Sequence, residues 1–401
     1  MVIKSLSQTF KNNALSLIWA GAFIDIFAFT ILNPFLPRFY LDLGAPLAQI
    51  GLLLAVSAFI GFFSGIFWGK LSDRYGRRPI LLICRLGALF GYLILAFSTN
   101  ITMVVISRVM DGIFSRSILI TLTAVGDVVR EEKRSAEMSK VGIPWIAGGL
   151  VGPAIGGLLS GRGLMGIGLA CAGLSLLTFL GTLLTFKETH PIISQPTSER
   201  HVHPAHNSGD TLLSQHNPRV LLSLNFFAFL SHIIFITTVT LYLTKRFGFT
   251  VGQIGGLFTL TGSINLVVRL AIFPQVLRRF GDRKTFRLGL LAFLAAFLLL
   301  FFNPPVIGFV LISALISFGA TCSVDVMHGI MSRSVQRHEQ GQIMGLNAMV
   351  ESASFVLAPI IGGYLLSLEY SGFYPMSAMF ITLIALALSQ IPLKPIPKKM
   401  E

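Results

Sequence analysis

Charge is what this chain has least of. Asp, Glu, Lys and Arg together make up 12% of its 401 residues, against about 25% in an ordinary soluble domain. Acids are the scarcer sign, 17 against 31 basic residues. A chain so poor in charge and 53% hydrophobic cannot hide its apolar surface in a water-soluble core of this size, so lipid is its expected solvent. The mean hydropathy of +0.76 agrees. Cysteine is also rare. Cys84, Cys171 and Cys322 stand in separate apolar runs without metal-ligand spacing, and read as small buried hydrophobes. The chain has no phosphate-binding G-x-x-x-x-G-K-(S/T) loop, no metal-ligand set and no nucleophile constellation, so no enzyme, cofactor or metal is expected. A cleavable signal peptide is not expected either, because the polar, basic stretch 1–13 leads into a run long enough to stay in the membrane. The net charge of +14 would suit nucleic acid in a soluble protein. In a membrane protein it reports basic cytoplasmic loops, and no nucleic-acid partner is expected.

What is present is a series of twelve apolar runs, at about 15–37, 46–68, 79–98, 101–123, 142–160, 164–186, 219–243, 251–274, 286–303, 305–327, 343–367 and 373–392. Most reach the ~20 residues that a helix needs to cross ~30 Å of hydrocarbon. They are continuous rather than alternating, which excludes barrel strands. The basic residues set the orientation. With both termini inside, the inner segments hold about 23 Lys and Arg and the outer loops 4, the bias of a multi-pass protein with cytoplasmic ends. The longest polar interruption, 187–218, contains five histidines. It reads as a cytoplasmic linker between a bundle at 1–186 and one at 219–401. His201, His203, His206 and His216 have no accompanying Cys or ordered acid, so a solvated loop is favoured over a metal site.

The halves repeat. Gln49-Ile50-Gly51 recurs as Gln253-Ile254-Gly255, Tyr75-Gly76 as Phe280-Gly281, and Pro153-Ala-Ile-Gly156-Gly157 as Pro359-Ile-Ile-Gly362-Gly363, all at offsets of about 205 residues. Three landmarks at nearly one offset argue for duplication of a six-helix unit. Between the second and third runs lies Gly69-Lys-Leu-Ser-Asp73-Arg74-Tyr-Gly76-Arg77-Arg78-Pro79. A basic cytoplasmic loop accounts for Lys70, Arg74, Arg77 and Arg78, but not for the spaced glycines and the aspartate. The stretch resembles the signature of the major facilitator superfamily, G-x-L-(S/A)-D-R-x-G-R-(R/K). That resemblance implies an all-α membrane fold of two pseudo-symmetric six-helix bundles around a central cavity, working by alternating access as a monomer among membrane lipids. It also implies that Gly69, Asp73, Arg74, Gly76, Arg77 and Arg78 gate the cytoplasmic side, with Asp73 meeting the positive start of a helix near Ile343.

The fifth run carries Gly148, Gly152, Pro153, Gly156 and Gly157. Glycines four apart share one helix face and allow close helix approach, and Pro153 can kink the helix. The pattern G-x-x-x-G-P-x-x-G-G also resembles the antiporter motif of the drug:proton antiporter branch, as does the ending Phe186-Lys-Glu188-Thr189. Arg108-Val-Met-Asp111-Gly112 resembles the family's R-x-x-Q-G pattern, whose arginine is implicated in proton transfer, with Asp111 in place of Gln.

An arginine in mid-membrane costs several kcal/mol unless paired, so Arg108 and Arg116 need partners. Asp111, three residues from Arg108, and Asp25 are the candidates. Both acids fall ~15 Å from a helix end, near the midplane. Asp25 reads as a carboxylate that takes up a proton or a cationic substrate, or else as a static ion pair. Glu351 and His232 could line the cavity of the second half. Arg85 and Arg269 are expected to snorkel, and Asp127, Asp325 and His328 to lie at the interface.

The expected function is proton-coupled efflux of a small lipophilic or cationic compound from a cell, across the bacterial inner (plasma) membrane. The alternative is a proton symporter importing a sugar, organic acid or siderophore, for which Arg108 and Arg116 would suit an anion. A non-transporting receptor or scaffold would need neither buried acids nor the antiporter motif.

Overall fold

The computed structural model describes residues 2–115, 117–129, 137, 140, 142–189, 212, 215–336, 339–368 and 372–393, and for 2–14 and Leu17 only the backbone. Arg116 and linker residues His201, His203 and His206 therefore lie outside the described residues. Every regular element among the described residues is helical. In chain order these are α1 (Val2–Leu32), α2 (Leu36–Asp42), α3 (Leu47–Tyr75), α4 (Arg77–Ala96), α5 (Ile101–Phe114), α6 (Ser117–Val128), α7 (Gly142–Leu159), α8 (Gly163–Thr185), α9 (His216–Phe247) and α10 (Val251–Val267). They continue as α11 (Phe273–Phe301), α12 (Val306–Ala320), α13 (Val326–Arg333), α14 (Gln340–Ser367) and α15 (Phe373–Leu388).

Eight stretches of the described chain are long and apolar enough to cross a membrane. Two of them, Gly142–Thr185 with 44 residues and Val251–Phe301 with 51, are about twice one crossing. Each contains a glycine with positive φ, Gly163 at 60° and Gly281 at 70°. With α5–α6 and the shorter apolar α15 beside them, the helices are consistent with twelve crossings, and each of the twelve apolar runs falls on helix. Backbone chemistry requires this outcome. Hydrocarbon offers no hydrogen bonds, and a helix satisfies its own amides.

The chain divides into two compact units. One comprises Met1–Pro46, Val56–Pro196 and Leu243–Thr259, the other Leu47–Ala55, Thr197–Tyr242 and Leu260–Glu401. The main divide thus falls inside the stretch read as the linker. In the first unit α1 packs against α7 and α8, and α4 against α5 and α8; in the second, α11 packs against α12 and α15.

Each unit also takes in a short segment from the other half of the sequence, and the repeated landmarks meet there. In the first unit a Cβ on Gly255 would stand 2.7 Å from the Pro153 carbonyl oxygen and 2.9 Å from the Gly157 Cα. In the second, one on Gly363 would stand 2.9 Å from the Gly51 nitrogen, while Gly51 itself abuts the Pro359 carbonyl. The same pair of motifs therefore packs backbone to backbone in both units. Gly76 and Gly281, equivalent in the repeat, share one backbone conformation, with φ of 97° and 70° and ψ of 161° and 172°.

The glycines of α7 do what their spacing suggests. Gly148, Gly152 and Gly156 lie against Thr30, Ile31 and Phe35, so at these positions α7 puts no side chain of its own into the contact. A Cβ at Gly152 would sit 2.5 Å from the Thr30 Oγ1, whereas one at Gly149 would meet nothing within 4 Å. Gly152→Leu is expected to cost about 1–3 kcal/mol through overpacking, with Gly149→Leu near neutral. Thermal unfolding of the purified protein in detergent checks this, and equal midpoints for the two variants would refute the packing explanation.

Candidate functional site

The polar knot between α3 and α4 is built around one arginine. Gly76 ends α3 in a conformation that L side chains avoid. The chain restarts at once as α4, leaving helix-start N–H groups without carbonyl partners. The Glu188 carboxylate, just beyond α8, fills that gap. Its oxygens accept from the Arg77 N–H at 2.8 Å and the Arg78 N–H at 3.0 Å. A Cβ at Gly76 would collide with this carboxylate, 2.5 Å from Oε2, so the motif glycine is required by space as well as by φ. The Arg77 side chain, 6% exposed, donates from Nε to Asp127 at 2.9 Å, and from Nη1 to Ser72 at 2.7 Å and Asp73 at 2.5 Å. Arg78 donates to the Leu183 carbonyl at 2.8 Å. Arg74 lies over the Tyr75 ring, and Gly69 has open space beside it.

The second unit carries a mirror of this pair that the sequence did not disclose. About 205 residues after Arg77 stands Asp282, and at nearly the same offset from Asp127 stands Arg333. Arg333 Nη2 donates to Asp282 at 2.5 Å. The polarity is reversed, and the setting is wetter, with side chains 64% and 38% exposed.

Inside the first unit, Asp25 pairs with Arg85 rather than with Arg108. Arg85 Nη2 and Nε donate to Asp25 Oδ2 at 3.1 and 3.3 Å, and the Ser117 hydroxyl donates to the same oxygen at 2.9 Å. Arg85 Nη1 donates to the Thr178 carbonyl at 3.2 Å and to the Thr182 hydroxyl. Gly21 of α1 leaves the space that the guanidinium fills. Arg85 therefore does not snorkel. It is buried, because α1 and α8 supply its acceptors and Gly21 of α1 the room. Arg85, Gly21, Ile24, Thr121, Thr178 and Phe186 are among the residues lining a cavity of about 100 Å³. Arg108, also buried, lies 3.6 Å from Asp111 and donates to the Ser107 hydroxyl at 3.1 Å. The Ser115 hydroxyl donates to Asp111. Arg108 Nε and the Tyr40 hydroxyl are buried without a hydrogen-bond partner.

In the second unit Glu351 of α14 is the centre of a polar cluster. Its Oε1 accepts from Asn347 at 2.8 Å and Asn225 at 3.2 Å, and lies 2.7 Å from His328 Nε2. Arg269 donates to Asp325 at 2.5 Å. Both members of that pair sit on single π-helical turns, Val268–Ile272 and Thr321–Asp325, a distortion found often at functional sites. Pro274 removes an amide donor just after the first. Arg269 and Asp325 are thus paired with each other, and His328 with Glu351. His232 stands apart from the Glu351 cluster. Its ring stacks on Phe293 at 5.7 Å, and its Nδ1 is buried without a partner. No group of three or more metal-ligating side chains occurs among the described residues.

Sequence reasoning missed Arg85, Glu188 and His328 as site members. For Glu188 a signal existed, since an acid just beyond a helix can cap a neighbouring one. The partners of Arg85 and His328 lie 60 and 23 residues away, on helices whose rotation no periodicity reveals. The two mirrored pairs differ in burial, and so in worth. Arg77→Ala is expected to lose about 3–5 kcal/mol, as for a broken buried pair, and Arg333→Ala less than about 1 kcal/mol. Chemical or thermal unfolding of the two variants measures the contrast, and equal losses would refute it.

Comparison with known proteins agrees with this architecture. The family model of the Major Facilitator Superfamily matches residues 18–273 and 221–400. The chain is 28% identical to the class B tetracycline resistance protein of Escherichia coli over 314 residues, covering 78% of each chain. It is 22% identical to multidrug resistance protein 2 of Bacillus subtilis (strain 168), covering 97% of this chain and 96% of that one. Among solved structures, a bacterial homologue of the human lysosomal transporter Spinster, in an inward-facing and unoccupied conformation, superposes with a TM-score of 0.75 at 13% identity over 95% of this chain and 96% of that one. With the helices, the repeated motifs and the family match running the length of both halves, the chain belongs to the Major Facilitator Superfamily and is a multi-pass membrane protein.

Proposed function

We propose that this chain is a proton-coupled exporter of small lipophilic or cationic compounds, working by alternating access in the bacterial inner membrane with both termini cytoplasmic. The carrying observation is the set of ionisable pairs inside apolar helices: Asp25–Arg85, Arg108–Asp111, Arg269–Asp325 and His328–Glu351. A bundle that only had to fold would be as stable, or more so, with apolar residues there. Groups retained against that cost in a membrane protein serve ion or substrate movement. The resistance proteins among its relatives support export over import, and the antiporter pattern on α7 supports exchange for protons. Asp25, Asp111 and Glu351 are the candidate carriers of the proton, and Arg108, Arg116 and His232 candidate neighbours of the substrate. One proton entering down ~100 mV releases ~2.3 kcal/mol, enough for about fifty-fold expulsion of a neutral compound. The knot around Arg77 belongs to the cytoplasmic gate in this reading, and a monomer suffices for the cycle.

One observation favours a second reading, import of an anionic metabolite. Arg108 is buried with its Nε lacking an acceptor, beside an unpartnered Tyr40 hydroxyl.

Inside-out vesicles decide direction and coupling. With an imposed proton gradient, acid inside, ethidium or tetracycline added outside is expected to accumulate in the lumen and to drive proton release from it. Absence of both, with proton-driven uptake of an organic anion by intact cells, would overturn export. Asp25→Asn is expected to abolish coupling if Asp25 carries the proton, and to cost about 3–5 kcal/mol of stability without abolishing it if Asp25 only neutralises Arg85.

A further inference from the structure

We propose that His328 and Glu351 are the dyad that carries the transported proton. This deepens the transporter reading above and rests on it. The argument begins with the partners of the four intramembrane acids. Asp25, Asp111 and Asp325 each face an arginine. A guanidinium does not give up its proton in a protein, so the charge beside those three acids is permanent, and each pair is neutral without loading or unloading anything. Arg85 is further held by Thr178 and Thr182 and cannot leave Asp25 without losing those bonds too. Glu351 alone among the four has a partner that itself titrates near neutral pH.

The geometry suits loading. Three donors converge on Glu351 Oε1, from Asn225, Asn347 and His328, and none on Oε2 among the described residues. An ionised carboxylate only accepts, so His328 presents Nε2–H to Glu351 and keeps the lone pair on Nδ1. A proton from water adds to that lone pair, and no other bond forms or breaks. The ring becomes an imidazolium against the carboxylate, and release returns the same proton to water on the opposite side. The dyad is not sealed within the protein. The His328 side chain is 43% exposed and that of Glu351 22%, and neighbouring Arg269 and Asp325 are 30% and 35% exposed. Four such groups facing lipid would be far costlier than four facing a water-filled space.

The other groups around the dyad do not compete for its proton. Asp325, one turn before His328, is paired with Arg269. Asn225 and Asn347 are neutral. Asp282 and Arg333 neutralise each other at the end of α13, and His232 is packed against Phe293. The π-helical turn at Thr321–Asp325 leads directly into α13. It gives His328 a place from which a small change of helix register would open or shield the ring.

The test uses the full-length protein in proteoliposomes, with ethidium and tetracycline as probes. With a pH gradient of about 1.7 units and no membrane potential, worth about 2.3 kcal/mol per proton, wild type is expected to sustain roughly fifty-fold accumulation of either probe. His328→Gln and Glu351→Gln are expected to bring the ratio to about one, a loss at least about tenfold greater than any loss in probe exchange without a gradient. Glu351→Asp should restore part of the accumulation. Infrared difference spectra after a pH step, which need no transported compound, should show imidazole protonation that disappears in His328→Gln and shifts in Glu351→Gln. Accumulation retained in both variants, or pH-step spectra identical to wild type, overturns the dyad. Wild-type vesicles that move neither probe would count against the exporter reading instead, and the spectra would still decide whether the pair takes up a proton.

Discussion

A charge placed in hydrocarbon must bring its counter-ion with it, and the interior of this protein is arranged around that requirement. Each intramembrane acid in the described chain meets a base: Asp25 with Arg85, Asp111 with Arg108, Asp325 with Arg269, Glu351 with His328. Serine, threonine and asparagine side chains then take up much of the remaining hydrogen-bonding capacity. The same requirement governs the backbone where α3 gives way to α4. Helix-start amides freed by the turn at Gly76 are met by the Glu188 carboxylate, and a carboxylate at a helix start is also favoured by the helix dipole.

Duplication explains the placement of the landmarks but not their chemistry. The Gln-Ile-Gly and Pro-x-x-Gly-Gly patterns pack on one another in both units, because two backbones can approach so closely only where neither carries a side chain. The ion pairs have diverged. Arg77–Asp127 in the first unit corresponds to Asp282–Arg333 in the second, with the signs exchanged and much less burial. An exposed pair contributes little to stability, so the second pair holds its unit together less than the first. The interior pairs differ in kind as well. Three join a carboxylate to a permanent cation, whereas Glu351 faces an imidazole, which can change charge under ordinary conditions.

The class of the protein was legible in the chain itself. Low charge, continuous apolar runs, basic loops and the motif between α3 and α4 together led to an all-helical membrane protein of this superfamily, because hydrophobicity and loop charge act residue by residue and need no contact to be read. The small-residue face of α7 was legible for a related reason: helical spacing alone puts Gly148, Gly152 and Gly156 on one side. What the tertiary structure decided was which charge meets which. Arg85 looked like a residue that reaches for the interface, and Asp25 looked like a partner for Arg108. Helix rotation and the neighbour of each face settled these pairings otherwise, and His328 joined Glu351 only through the packing of α13 on α14. Sequence determines where a helix puts a residue along its own axis. Only packing determines what stands opposite, and in a low-dielectric interior that neighbour decides whether a charge is an anchor or a carrier.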